Sequence, residues 1–190
     1  MKFTPVLFTY ASWILLALYW LFSAFGVKRA AKREASGERF VHILFMAAGY
    51  ILLFNSDSRF GVLNERFIPE NVSIEWLGAA ITLGGVLFAV WARRSIGKFW
   101  SAAVTIKEDH KLIRSGPYAH IRHPIYTGLL TAVAGTAVEI GRYRALLALV
   151  IFLIGFARKA KKEEVFLAQQ FGESFEEHKR HTGFFLPRFS

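Results

Sequence analysis

Five apolar stretches, from Pro5 to Gly26, Phe40 to Phe54, Val72 to Trp91, Pro124 to Ile140 and Ala145 to Ala157, constrain the fold of this chain more than any other feature. A helix that crosses a bilayer needs about 20 residues, with a tolerated range of about 17 to 25, because hydrocarbon offers no partner for an unbonded backbone group. The first and third stretches meet that length outright. The other three are short enough to be buried helices of a soluble protein, but beside two strong spans they favour one bundle in a membrane. The predicted fold class is therefore an all-α integral membrane protein with about five transmembrane helices. It forms a single domain over residues 1–190, with spans one to three in residues 1–91 and a C-terminal region from 92 to 190 that includes a helical hairpin at 124–157. The first stretch reads as a span rather than a signal peptide. Lys2 is the only positive charge nearby, the run is long, and no small-x-small cleavage site follows it.

Charge gives the orientation. Hydrophobic residues make up 54% of the chain while the net charge is +10, a pairing that suits apolar spans joined by basic loops. A nucleic-acid binder would gather its Lys and Arg on one folded face and would not carry repeated apolar runs, so no nucleic-acid partner is expected. With five spans, 19 of the 24 Lys and Arg fall on one side: Lys28 to Arg39, Arg93 to Arg122, and Arg158 onward. The positive-inside rule then places the C-terminus in the cytosol and the N-terminus outside. Cysteine is absent, which excludes disulfides, thiolate metal ligands and thiol nucleophiles. The histidines show no metal-ligand spacing, so no metal is expected.

The turn Gly141 to Arg144 is short enough to force spans four and five into an antiparallel hairpin with both open ends facing the cytosol. Two segments on that side are long enough to hold structure, Ala92 to His123 and the tail after Arg158, and function is expected there. In the tail, Leu167, Phe171 and Phe175 recur at helical spacing, which predicts an amphipathic helix from about Ala160 to Arg180, bent near Gly172.

The run from His110 to Gly128 carries the chemistry. Ser115-Gly116-Pro117 is a turn, and His123-Pro124 opens span four, since proline suits the first helical turn where its missing N–H costs nothing. A helix N-terminus offers free N–H groups and partial positive charge, a setting for the carboxylate of an amino-acid-like ligand, with Arg122 and His123 as further donors. The same residues also suit a plain basic boundary of a span. Glu163-Glu164 lie just past span five, across the hairpin from the start of span four. A carboxylate there can accept both hydroxyls of a ribose, or simply neutralise Lys161 and Lys162.

These motifs together resemble the isoprenylcysteine carboxyl methyltransferase family, within a wider group of membrane methyltransferases that includes phospholipid N-methyltransferases. The likeness covers roughly Ser101 to Pro187. It rests on His110, Leu112, Gly116 and Tyr118, on Arg122-His123-Pro124 with Tyr126 and Gly128, on Glu163-Glu164, and on Phe171-Gly172, Phe175, Gly183 and Pro187. The resemblance implies an S-adenosylmethionine pocket at the cytosolic interface formed by His110, Lys111, Leu112, Ile113, Tyr118, His123, Pro124, Ile125, Tyr126 and Glu163. It also implies a lipophilic methyl acceptor, an isoprenylcysteine-like carboxylate, that enters from the bilayer. Of the catalytic candidates, Arg158 or Lys159 would meet an anionic acceptor, and Glu164, or His120 in its place, would serve as base for an acceptor that must lose a proton. The family tends to carry arginine where this chain has Lys159, and Gln or Glu where it has Thr105, which leaves the substrate open. Rival readings are a phospholipid amine or small-thiol methyltransferase, an NADPH-dependent membrane reductase, and a membrane scaffold in which the motif braces the hairpin.

Overall fold

The computed structural model describes residues 4–23, 30–33, 36–55, 58–97, 105–107 and 112–189. Six helices run through them: α1 Pro5–Ser23, α2 Ser36–Phe54, α3 Val72–Ile96, α4 Pro124–Ile140, α5 Tyr143–Phe171 and α6 Glu173–His181. Strands β1 (Ala30–Arg33) and β2 (Thr105–Lys107) pair antiparallel, with Ala30 opposite Lys107 and Arg33 opposite Thr105. This two-stranded ribbon amends the all-helical expectation, and neither segment carries the alternating pattern that announces a strand in sequence. Helices α1, α2 (from Gly37) and α3 are long and apolar enough to cross a membrane, whereas α4, at 17 residues, is shorter. The expected tail helix does not stand apart. Helix α5 continues unbroken for 29 residues, well past its apolar half, and stops at Gly172, whose φ of 51° favours a residue without Cβ.

The tightest packing joins α3 to α4, antiparallel, through small residues. A Cβ built on Gly85 would lie 2.4 Å from the Ala132 nitrogen, and one on Gly135 would lie 2.4 Å from the Thr82 nitrogen. The two backbones touch, as they do where helices in lipid associate by van der Waals contact rather than by the hydrophobic effect. Inside this seam the Thr82 and Thr136 hydroxyls share a 3.1 Å hydrogen bond, and Trp13 Nε1 donates to Thr136 Oγ1 at 3.0 Å, fastening α1 to the pair. Helix α5 instead packs on α2, with Gly49 against the Phe152 ring and Gly155 against Phe45 and Met46.

Each end of the bundle is tied by arginine or glycine. Arg144 Nη1 donates to the Leu52 and Leu53 carbonyls at 2.6 and 2.8 Å, bonding carbonyls at the C-terminus of α2 with a cation where the helix dipole favours one. Gly141, with φ of 64°, caps α4 in the left-handed region, and its carbonyl accepts from the Phe67 and Ile68 N–H groups. At the other end Arg93 spans from the Gly97 carbonyl at 2.8 Å to the Ser23 carbonyl at 2.7 Å, joining the C-termini of α3 and α1.

Candidate active site

Because α4 and α5 run antiparallel from a tight turn and each residue adds about 1.5 Å, the part of α5 beyond Lys159 overshoots the first residue of α4. That overshoot sets Glu163 and Glu164 beside Arg122, His123 and Tyr126. Tyr126 donates its hydroxyl to Glu163 Oε1 at 2.6 Å, while His123 Nδ1 lies 3.5 Å from Glu163 Oε2. The other ring nitrogen of His123 lies 3.3 Å from Glu164 Oε1, the oxygen that also accepts from Arg122 Nε at 2.6 Å. His123 is the N-cap of α4 but makes no side-chain cap bond, because its imidazole is turned to the two carboxylates.

Electrostatics follow from this bracket. Burial by itself disfavours the His123 cation, but the bonds to Glu163 and Glu164 and their charges outweigh it and raise its pKa above the ordinary 6.5. Burial also opposes ionisation of Glu163, yet the His123 contact, the Lys159 charge and the Tyr126 hydroxyl hold its carboxyl below the ordinary 4.5. For Glu164 burial is likewise outweighed, by hydrogen bonds from His123 and Arg122, and its pKa falls to about 2. Such a carboxylate is a weak proton acceptor, which disfavours Glu164 as a base and suits it to holding Arg122 and His123 in place. Tyr118 is raised by burial first and by the Glu163 charge second, so its phenol stays neutral.

Of the residues singled out in sequence, Tyr118, His123, Pro124, Ile125, Tyr126, Glu163 and Glu164 come together around the start of α4. Leu112 and Ile113 are half-buried on the approach to the short 3-10 turn Gly116–Ala119, and Ile113 packs on the cluster of Ala92, Tyr118 and Ile125. His110 and Lys111 lie outside the described residues, and of Thr105 only the strand backbone is described. Arg158 is exposed at the α2–α5 face, 3.9 Å from Glu38, whereas Lys159 turns inward, its Nζ 6.0 Å from the centre of the Tyr126 ring.

Sequence reasoning counted Gly183 and Pro187 only as part of the family resemblance and gave Phe184 and Phe185 no role. The Arg122 and His123 N–H groups donate to the Gly183 and Phe184 carbonyls at 2.9 and 3.3 Å, Arg122 Nη1 donates to the Thr182 carbonyl, and Thr127 Oγ1 donates to the Phe185 carbonyl at 2.7 Å. Phe184 and Phe185 set their rings 5.0 and 6.3 Å from that of His123. The tail thus roofs the imidazole, with Gly183, Phe184 and Phe185 in sequence as the signal available beforehand.

Residues 74–174, just over half of the 190-residue chain, match the family described as phospholipid methyltransferase. The chain belongs to the phospholipid methyltransferase family. The matched stretch runs from α3 through α6's first residues and takes in every site residue of α4 and α5 named above. Among its relatives, the protein-S-isoprenylcysteine O-methyltransferase of Schizosaccharomyces pombe is 32% identical over 48% of this chain and 40% of its own length. The cobalt-zinc-cadmium resistance protein of Cupriavidus metallidurans is 32% identical over 60% of this chain and 53% of its own. The chain therefore spans about half the length of these curated relatives. A solved structure of the eukaryotic intramembrane Ras methyltransferase, isoprenylcysteine carboxyl methyltransferase, superposes with a TM-score of 0.58 at 20% identity, covering 83% of this chain and 56% of that one. This family member shares that intramembrane fold and is an integral membrane protein.

Proposed function

We propose that the chain is an S-adenosylmethionine-dependent methyltransferase whose acceptor is a lipophilic carboxylate of the isoprenylcysteine type, in keeping with the name its fission-yeast relative carries. The observation that carries this reading is the Glu163 carboxylate, held ionised beside the N-terminus of α4 by Tyr126 and His123 yet with 24% of its side chain exposed. Oε1 accepts from Tyr126 and Oε2 faces His123, and a carboxylate has about four lone-pair sites, enough to accept the two hydroxyls of a ribose as well. The donor set fits the cofactor. Glu163 would take the ribose, His123, Pro124, Ile125 and the first turn of α4 the methionine carboxylate, Leu112 and Ile113 the adenine, and Tyr118 and Tyr126 the sulfonium by ring packing. When bound, S-adenosylmethionine supplies a methyl group on a positively charged sulfur, open to in-line displacement.

The protein's own part is alignment and exclusion of water. Lys159, with Arg158 further out, draws an anionic acceptor toward Tyr126, and the roof of Phe184 and Phe185 keeps solvent from the imidazole. A carboxylate acceptor needs no base, which agrees with the weak basicity of Glu164. Five spans with the site on the cytosolic side accord with 19 of the 24 Lys and Arg on that side. The family description favours one second reading, a phospholipid amine as acceptor. An amine must lose a proton, so its methylation rate rises with pH where that of a carboxylate stays level.

Thermal unfolding of the purified chain with S-adenosylmethionine and S-adenosylhomocysteine tests the cofactor. At a hundred times the dissociation constant a ligand adds about 2.7 kcal/mol to the native state, or a rise of several degrees. The rise is expected in wild type and lost in Glu163→Gln. Absence of any rise in wild type would refute the reading.

A further inference from the structure

The segment after α6 doubles back on the site as a short closed loop. The His120 carbonyl accepts from both of its ends, from the Gly183 N–H at 3.0 Å and the Arg188 N–H at 3.1 Å, while the Arg122 N–H donates to the Gly183 carbonyl. The turn is tight, since a Cβ on Gly183 would run into the Leu186 carbonyl oxygen. Between the pinned ends Phe184 and Phe185 turn in over His123, and Leu186 is left outside. Leu186 and Phe189 are each 77% exposed, more than any large apolar side chain described in α1 to α5. Phe189 is nonetheless held, its ring 5.0 Å from that of His120.

Depth and charge together identify what covers these side chains. Helix α4 has 17 residues and so a length of about 26 Å, short of the roughly 30 Å of hydrocarbon in a bilayer. With its Gly141 end at the far surface, the start of α4 and the loop bonded to it sit at the boundary between hydrocarbon and headgroups. From His178 onward the chain carries Lys179, Arg180 and Arg188 and no acid. Lys179 is paired with Glu176, but Arg180 and Arg188 are exposed and meet no carboxylate among the described residues. Exposed apolar side chains flanked by such arginines suit a surface of anionic lipid, which offers hydrocarbon to the first and phosphate to the second. A soluble protein could cover the patch only by displacing lipid from the same depth.

We infer that the loop from Gly183 to Phe189 is a membrane-inserting element that docks on anionic lipid at the site end of the bundle, Leu186 and Phe189 entering the acyl boundary and Arg180 and Arg188 meeting phosphates. One carbonyl, that of His120, holds both ends of the loop, and the residues between them roof His123, so lipid that seats the loop also keeps the roof closed. The identity of the methyl acceptor does not enter. The proposed topology puts the cytosol on this side, and the cytosolic leaflet is the one that carries anionic lipid.

The chain has no cysteine, so Leu186→Cys and Glu173→Cys each accept a single environment-sensitive fluorophore. Glu173, exposed at the start of α6, gives the aqueous reference. In nanodiscs of phosphatidylcholine with phosphatidylglycerol the label at position 186 should shift to the blue and escape acrylamide quenching, while that at position 173 stays quenched. Each arginine near an anionic surface favours docking about fivefold, so Arg180→Gln with Arg188→Gln should lower the ratio of docked to free loop about twenty-five-fold, to its level in phosphatidylcholine alone. Without a label, exchange of the Arg122 and His123 amide protons, which are bonded to the loop, should slow in the anionic discs and quicken in Leu186→Glu. Unchanged exchange along α3 and the rest of α4 reports that each variant is folded. A label at position 186 quenched as fully as that at 173 overturns the insertion, and one buried equally in both lipids overturns the anionic partner. Amide exchange indifferent to lipid overturns the link to the roof.

Discussion

Adjacent glycines in α3 offer an internal control on how the bundle is held. Gly84 is exposed and a Cβ there meets nothing within 4 Å, whereas on Gly85 it would lie 2.4 Å from the Ala132 nitrogen, 2.6 Å from the Gly128 carbonyl oxygen and 2.9 Å from the Ala132 Cα. Alanine gains about 1 kcal/mol over glycine in a helix, so Gly84→Ala is expected to be neutral or stabilising by up to that amount. At Gly85 the same gain is set against backbone atoms that cannot rotate away. Ordinary contact begins near 3.4 Å, so the helices must part by about 1 Å, which forfeits a quarter to a half of each facing contact and strains the Thr82–Thr136 bond. Overpacking of this kind costs about 3 kcal/mol at its upper end, leaving Gly85→Ala about 2 kcal/mol less stable than wild type. For a chain of this size that is a fall of about 4 to 8 °C in Tm. Thermal unfolding of both variants in one detergent checks the difference. A Gly85→Ala protein that melts with or above Gly84→Ala would refute the close-packed seam.

Three further outcomes follow from the site and its supports. Arg122→Ala takes from Glu164, whose side chain is only 14% exposed, its guanidinium partner, leaving it His123, and frees the tail at the Thr182 carbonyl; a loss of about 3 kcal/mol is expected from chemical or thermal unfolding, with protease cleavage appearing after Thr182. The carboxylates and the imidazole give the site a pH window. Glu163 and Glu164 have lowered pKa values, so their stabilisation is complete above 4.5 and fades as pH falls toward about 2 for Glu164; His123 has a raised value, so its share is complete below 6.5 and fades as pH climbs through that raised value. Tm against pH should show a shoulder between those limits that His123→Gln flattens on its alkaline side. Arg144→Met removes the donor to the Leu52 and Leu53 carbonyls and is expected to cost about 2 kcal/mol in unfolding while leaving the cofactor-induced shift intact, since this contact lies at the opposite end of the bundle from Glu163.

Local signals were legible because each is written within a few residues. Apolar runs of span length, proline after His123, glycine at 141 and at 172, and the placement of Glu163-Glu164 one overshoot beyond the start of α4 all follow from helix geometry and backbone preference. The turn at Gly141 made α4 and α5 antiparallel, so even the meeting of His123 with the acidic pair could be read along the chain. Continuity of α5 past Ala160 was not legible, because charge ends an apolar run without ending a helix.

Pairing across long separations was decided by the tertiary structure alone. The seven-residue intervals from Gly78 to Gly85 and from Gly128 to Gly135 are visible in sequence, but nothing in either says that the two faces meet, since a glycine stripe has no chemistry that names its partner. The same holds for the tail over His123 and for Glu38 beside Lys162. Hydropathy and spacing report what one segment can do in lipid or at its surface; which backbone carbonyl lies within reach of Arg122, and which carboxylates lie within reach of His123, depend on how the helices pack in three dimensions.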